Sequence, residues 1–128
     1  LIIQEGVFEE TYYYKKNCMA VSKKNTLSDE EIKYVLDSKG NISGVSKTTV
    51  GGEGEAFGLN KIFKKDIDVF KQGLSDCKNN DYFEKGVELA IKKGLKIKPL
   101  DIGDKFYTEV DFKQDLYYAL KHLTKKQD

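Results

Sequence analysis

The sequence predicts an α/β fold, a mixed sheet flanked by helices, and three observations carry that prediction. The segment Asn17-Cys18-Met19-Ala20-Val21 has the apolar run of a buried strand, and Gly40-Asn41 sits between two alternating stretches as a hairpin turn would. Downstream, two segments place apolar residues at helical spacing before strand patterns resume. A chain of 128 residues suits one compact domain, and residues 1–128 are expected to form a single unit.

The elements follow in order. Tyr12 to Val21 is rich in aromatic and apolar residues, and Asn17 to Val21 in particular reads as a buried strand stopping near Ser22-Lys23-Lys24-Asn25. Ser28-Asp29-Glu30-Glu31 mimics a helix capping box. Yet Ile32, Tyr34 and Leu36 alternate with Lys33, Val35 and Asp37, which favours a hairpin returning through Ile42 to Ser46. Gly51, Gly52 and Gly54 form a flexible connection, after which EAFGLNKI resumes as a strand in which Phe57, Leu59 and Lys61 share one face, Lys61 at an edge. Ile67, Phe70, Leu74 and Cys77 mark a helix over Asp66 to Lys78, and Phe83, Val87, Ala90 and Ile91 mark another over Asp81 to Lys93, ended by Gly94. LKIKPLDI and FYTEV read as strands, and Asp111 opens a last helix with Leu116, Ala119, Leu120 and Leu123 on its apolar stripe.

Composition excludes several function classes. Lys plus Arg number 22 against 21 acids, a net charge of +1 that provides no global field for nucleic acid or an anionic membrane. No window approaches the ~20 apolar residues of a membrane helix. The opening LIIQEGVFEE meets charge too early for a signal-peptide core, so a cytoplasmic location is expected. Cys18 and Cys77 stand in no CxxC pair and far from His122, the single histidine, so they read as reduced packing residues. GxSxG and HExxH motifs are absent, and His122, near a helix end among lysines, is given no role.

Two segments could carry chemistry. Thr108-Glu109-Val110-Asp111 puts two carboxylates at i and i+2 at a strand end, an arrangement suited to a hard cation such as Mg²⁺; Asp111 is equally a good helix N-cap, with Gln114 three residues on. GGEGEAFG lacks the endings of a phosphate loop or a dinucleotide fingerprint and reads first as a connection, with Glu53 and Glu55 as solvated acids. Tyr12-Tyr13-Tyr14, Phe106-Tyr107 and Tyr117-Tyr118 could cage a quaternary ammonium, although core packing is the more common use of such rings.

The order DSKGNISGVSK, GEAFGLNKI, a helical pair, then LDIGDKFYTEVDFKQDLYYA resembles the second half of a nucleoside-triphosphate transferase. The likeness is to cytidylyltransferases of the bacterial phosphocholine and aminoethylphosphonate type, over about residues 14 to 121. It implies a Rossmann-like nucleotidyltransferase fold and cytidylyl transfer from CTP to phosphocholine or a similar phosphate or phosphonate acceptor, with pyrophosphate released. On that resemblance Asp111 joins the Mg²⁺ shell, Lys47 acts with it in catalysis, Lys47, Glu55 and Asn60 line the acceptor pocket, and Glu109 with Tyr107 faces the acceptor head group. Relatives often carry tryptophan where this chain has Tyr107. The family's amino-terminal glycine- and basic-rich signature and its central acid pair are absent from this sequence. The chain is therefore expected to supply the acceptor side of an enzyme whose nucleotide-binding portion lies upstream of Leu1. Its partners would be a nucleoside triphosphate, a small phosphorylated acceptor and that missing portion, with Glu55, Glu109 and Asp111 converging on one cleft. The rival readings are a non-catalytic ligand-binding or assembly module kept from the same fold, and an unrelated α+β domain that binds neither nucleotide nor Mg²⁺.

Overall fold

The computed structural model describes residues 1–78, 80–108 and 113–125, the last three without their side chains. Glu109 and Asp111 lie outside the described residues, so the expected convergence of Glu55 with them does too.

The elements are β1 (Ile2–Ile3), α1 (Val7–Tyr13), β2 (Cys18–Lys23), β3 (Lys33–Leu36), β4 (Ile42–Ser46), β5 (Gly54–Lys61), a 3₁₀ turn (Lys64–Asp66), α2 (Ile67–Ser75), α3 (Phe83–Lys92), β6 (Lys98–Asp101), β7 (Tyr107–Thr108) and α4 (Lys113–Lys125). Five strands form a mixed sheet in the order β4-β3-β5-β2-β6, in which β2 and β6 run parallel and the other neighbours antiparallel. The hairpin β3-β4 forms one edge, as Gly40-Asn41 predicts: Gly40 takes a φ of +79°, and the Asp37 carboxylate accepts from the amides of Lys39 and Asn41. β1 and β7 pair separately as a short antiparallel ribbon.

Alternation along the strands divides the core between the two faces of the sheet. On one face Met19, Val21, Tyr34, Val45 and Ala56 pack with Val87 and Ala90 of α3, and Val69 and Phe70 of α2 close the layer. On the other, Ala20, Phe57 and Ile102 pack with Val7 of α1, and Ile3, Leu59 and Tyr107 cover them. Phe57 and Leu59 thus share a face as predicted. The Lys61 ammonium turns to the carbonyls of Tyr12 and Tyr14, at the C-terminal end of α1, from a strand in the middle of the sheet rather than its edge.

Three sequence expectations change. Tyr12 and Tyr13 close a helix, α1, ahead of the strand, where the aromatic run suggests no helix. Val7 and Thr11, one helical turn apart, are both buried, and the Thr11 hydroxyl donates to the Val7 carbonyl at 2.8 Å, so i,i+4 burial outweighs the strand propensity of the aromatics. The tyrosines of α1 and α4 are not core: Tyr12, Tyr13, Tyr117 and Tyr118 are exposed because they lie on outer helix positions. Finally, Gly54 serves close packing rather than loop flexibility, since a Cβ there would stand 2.2 Å from the Ser22 carbonyl. Both cysteines are free thiols, and burial pushes the Cys18 thiol up from its ordinary value.

Candidate functional site

The antiparallel register of β2 and β5 puts Ser22 opposite Glu55, so Lys24, two residues further on, continues the face that Glu55 occupies. The Lys24 ammonium lies 2.9 Å from Glu55 Oε1 and 3.2 Å from Glu31 Oε1. From the β1-β7 ribbon the Tyr107 hydroxyl donates to the same Glu55 oxygen. The Tyr107 ring stacks on Phe57 with centroids 4.3 Å apart, and Lys24 approaches that ring at 5.4 Å. Five residues from four segments therefore meet, brought together by strand pairing and the packing of β7 on the sheet.

The electrostatics follow from burial and partners. The Glu55 side chain is 18% exposed, and its oxygen holds both a cation and a phenol. Lys24 is held above the usual lysine range: burial, which alone would lower it, is outweighed by the Tyr107 hydroxyl and the Glu55 carboxylate beside it. Tyr107 is raised as well, first by burial and then by its hydrogen bond to Glu55, so the phenol keeps its proton. Two carboxylates against one ammonium leave a formal charge of −1 beside an aromatic face. Such an arrangement favours a cationic or hydroxyl-rich group over a bare phosphate.

The other residues singled out in the sequence lie elsewhere. Lys47 is 3.5 Å from Glu30 Oε2 and 5.3 Å from the Tyr82 ring, where it lines a cleft of about 360 Å³ with Asp81, Glu84 and Glu88. The turn before β3 links the two places, because adjacent Glu30 and Glu31 reach to Lys47 and Lys24 respectively. Asn60 points to the face of α3, beside Met19, Val45, Ala56 and Phe83, and its Oδ1 is buried without a hydrogen-bond partner among the described residues. Glu55 and Tyr107 are thus joined, whereas Lys47 and Asn60 are apart from them. Glu55 is a half-buried strand residue rather than a solvated loop acid.

Lys24 and Glu31 were not singled out from the sequence. Nothing local distinguishes Lys24 among 22 basic residues. The signal lies in the strand register, through the face that Ser22 and Lys24 share with Glu55. Among the described residues no three His, Cys, Asp or Glu side chains gather as a metal site. The Glu55 oxygen is already committed to Lys24 and Tyr107, so it makes a poor free ligand. No helix of the described residues is long and apolar enough to cross a membrane.

No known protein family matches the sequence, and no curated protein matches it. Among solved structures the chain is similar to the inositol-1-phosphate CTP transferase from T. maritima, with a TM-score of 0.66 and 19% identity over 96% of this chain. The chain spans 51% of the length of that protein. At this identity the likeness establishes the fold, a nucleotidyltransferase-like mixed α/β arrangement.

Proposed function

We propose that this chain forms the acceptor side of a nucleotidyltransferase that moves a cytidylyl group from CTP to a small phosphorylated or phosphonate acceptor. The observation that carries this reading is the meeting of Glu55 with Tyr107 and Lys24 at one end of the sheet, on a fold shared with a CTP transferase. Glu109 and Asp111 follow Tyr107 by two and four residues, so the chain keeps them within roughly 14 Å of it at full extension.

In the reaction an acceptor oxygen attacks the α-phosphorus of the triphosphate, a P–O bond to it forms, and the bond to pyrophosphate breaks. Mg²⁺ held through Asp111 would supply neutralisation of charge on the phosphate oxygens. The chain's own residues position the acceptor: Tyr107 offers a ring fixed against Phe57, and Glu55 and Glu109 draw a cationic head group such as choline or an aminoethyl chain. Lys47, held by a 3.5 Å pair to a well-exposed Glu30, can swing towards a phosphoryl group at little cost. A hydroxyl-rich acceptor, of the inositol 1-phosphate kind for which the similar transferase is named, is the second reading, and it rests on the hydrogen-bonding capacity of Glu55 and Lys24.

The test is pyrophosphate release by the protein completed with a nucleotide-binding half, given CTP and, in turn, phosphocholine, aminoethylphosphonate and inositol 1-phosphate. Asp111→Asn is expected to remove most turnover while leaving the melting temperature unchanged, because Asn caps a helix about as well as Asp. Wild-type turnover in that variant excludes the metal role. Absence of release with all three acceptors favours a binding or assembly module.

A further inference from the structure

A cleft of about 520 Å³ opens at the other end of β2, roughly 20 Å from Lys24 by the rise of a strand. Its walls come from the residues before β2 (Lys15, Lys16 and Asn17), the β3-β4 turn (Lys39), the 3₁₀ turn (Lys65 and Asp66) and the start of β6 (Lys96 and Lys98). Six lysines against a single aspartate give a local formal charge of +5, in a chain whose net charge is only +1.

Among the described residues none of these six lysines has a carboxylate within ion-pair distance, although Lys24, Lys47, Lys93 and Lys105 all do. The one acid in the cleft, Asp66, accepts from the Asn17 side chain through Oδ2 at 2.8 Å. Crowding ammonium groups that lack direct ion pairs costs stability, and a chain with 21 acids could relieve it.

The framework is fixed before any ligand arrives. Asn17, buried at 7% exposure, accepts from the Phe63 amide at 2.6 Å and donates to the Lys96 carbonyl at 3.2 Å. Its own carbonyl accepts from the Lys98 amide. The turn that carries Lys39 is held by the Asp37 carboxylate, whose value is lowered first by its bond to the Asn41 amide, and by Lys98 Nζ on the Lys39 carbonyl at 3.0 Å. Four segments are thereby locked around one concavity.

We infer that this cleft is a second, separate binding site for a compact multiply charged anion of the phosphate class. Its volume fits a small molecule, and its charge is confined to one hollow rather than spread as the stripe that a long polyanion requires. The inference does not depend on the reading of the Glu55 cluster, which lies at the opposite end of the strand.

Calorimetric titration of the 128-residue chain with pyrophosphate, and separately with glucose 1-phosphate, tests it and separates a site for the inorganic anion from one for a phosphate ester. Saturable one-to-one binding of either is expected, weakening severalfold as salt is raised. The double variant Lys16→Glu/Lys96→Glu should lose at least about tenfold in affinity with an unchanged circular dichroism spectrum, and Lys39→Glu should follow it. Lys71→Glu on α2, outside the cleft, should bind as the parent does. Equal loss in Lys71→Glu, or binding that fails to saturate, overturns the inference. So does tighter binding to a single-stranded RNA or to phosphatidylglycerol vesicles than to either small anion.

Discussion

One oxygen of Glu55 receives both an ammonium and a phenol, so the residues around it depend on each other more than their surface positions suggest. Tyr107→Phe keeps the stack on Phe57 and removes only the hydroxyl, and loss of a hydrogen bond to a carboxylate should cost about 1–2 kcal/mol in urea unfolding. In the completed transferase the same change should raise the acceptor KM more than it lowers kcat, as for a positioning contact present in the ground state. Tyr34 gives a pH prediction. Burial, then the charges of Asp101 and Glu53, push its phenol up to about 12 from the 10.0 of a free side chain. The folded state thus keeps a proton that the unfolded chain sheds. The contribution to stability is full below pH 10 and is lost as pH rises through about 12. The difference between wild type and Tyr34→Phe, followed by urea unfolding from pH 9 to 12, should change by about 2 kcal/mol, and a pH-independent difference would count against the assignment.

At the level of elements, two glycines set how closely the helices α2 and α3 approach. A Cβ on Gly73 would lie 2.5 Å from the Gly86 carbonyl oxygen and 2.6 Å from Ala90 Cβ, and none of these atoms can retreat without moving a helix. Gly73→Ala should therefore destabilise by about 1–3 kcal/mol despite the better helix propensity of alanine, as read from the thermal midpoint. A gain in stability would mean that the helices are free to separate. At the end of α3, Gly94 takes a φ of +109° while its amide and that of Leu95 satisfy the last carbonyls, which is why a glycine marks the helix end in the sequence.

For the whole molecule, the chain spans 51% of the length of the similar CTP transferase, and the nucleotide-binding signature of the resembled family is absent from it. The isolated 128-residue chain is accordingly expected to release little or no pyrophosphate from CTP with any acceptor. Pyrophosphate assays on the chain alone and on the completed protein check this, and robust transfer by the chain alone refutes it. The two charged regions flank β2, one anionic around Glu55 and one cationic around Lys16 and Lys96, so a near-neutral chain carries strong local fields of opposite sign.

The α/β class, the hairpin about Gly40-Asn41, the strand through Phe57 and Leu59, and both helices of the α2-α3 pair are legible in the sequence. Each is encoded in a window of about a dozen residues, by alternation, helical spacing or a glycine that accepts positive φ. The sequence also pointed to Glu55 and Tyr107 by resemblance, but not to their contact. The helix that Tyr12 and Tyr13 end, the pairing of Ile2–Ile3 with Tyr107–Thr108, and the ion pair of Lys24 with Glu55 emerge from the folded chain. It alone gathered six lysines from four distant segments into one cleft. The physical reason is that side-chain periodicity tells each residue which face it takes, whereas partners across strands are fixed by register and by the packing of separate segments, which no local window contains.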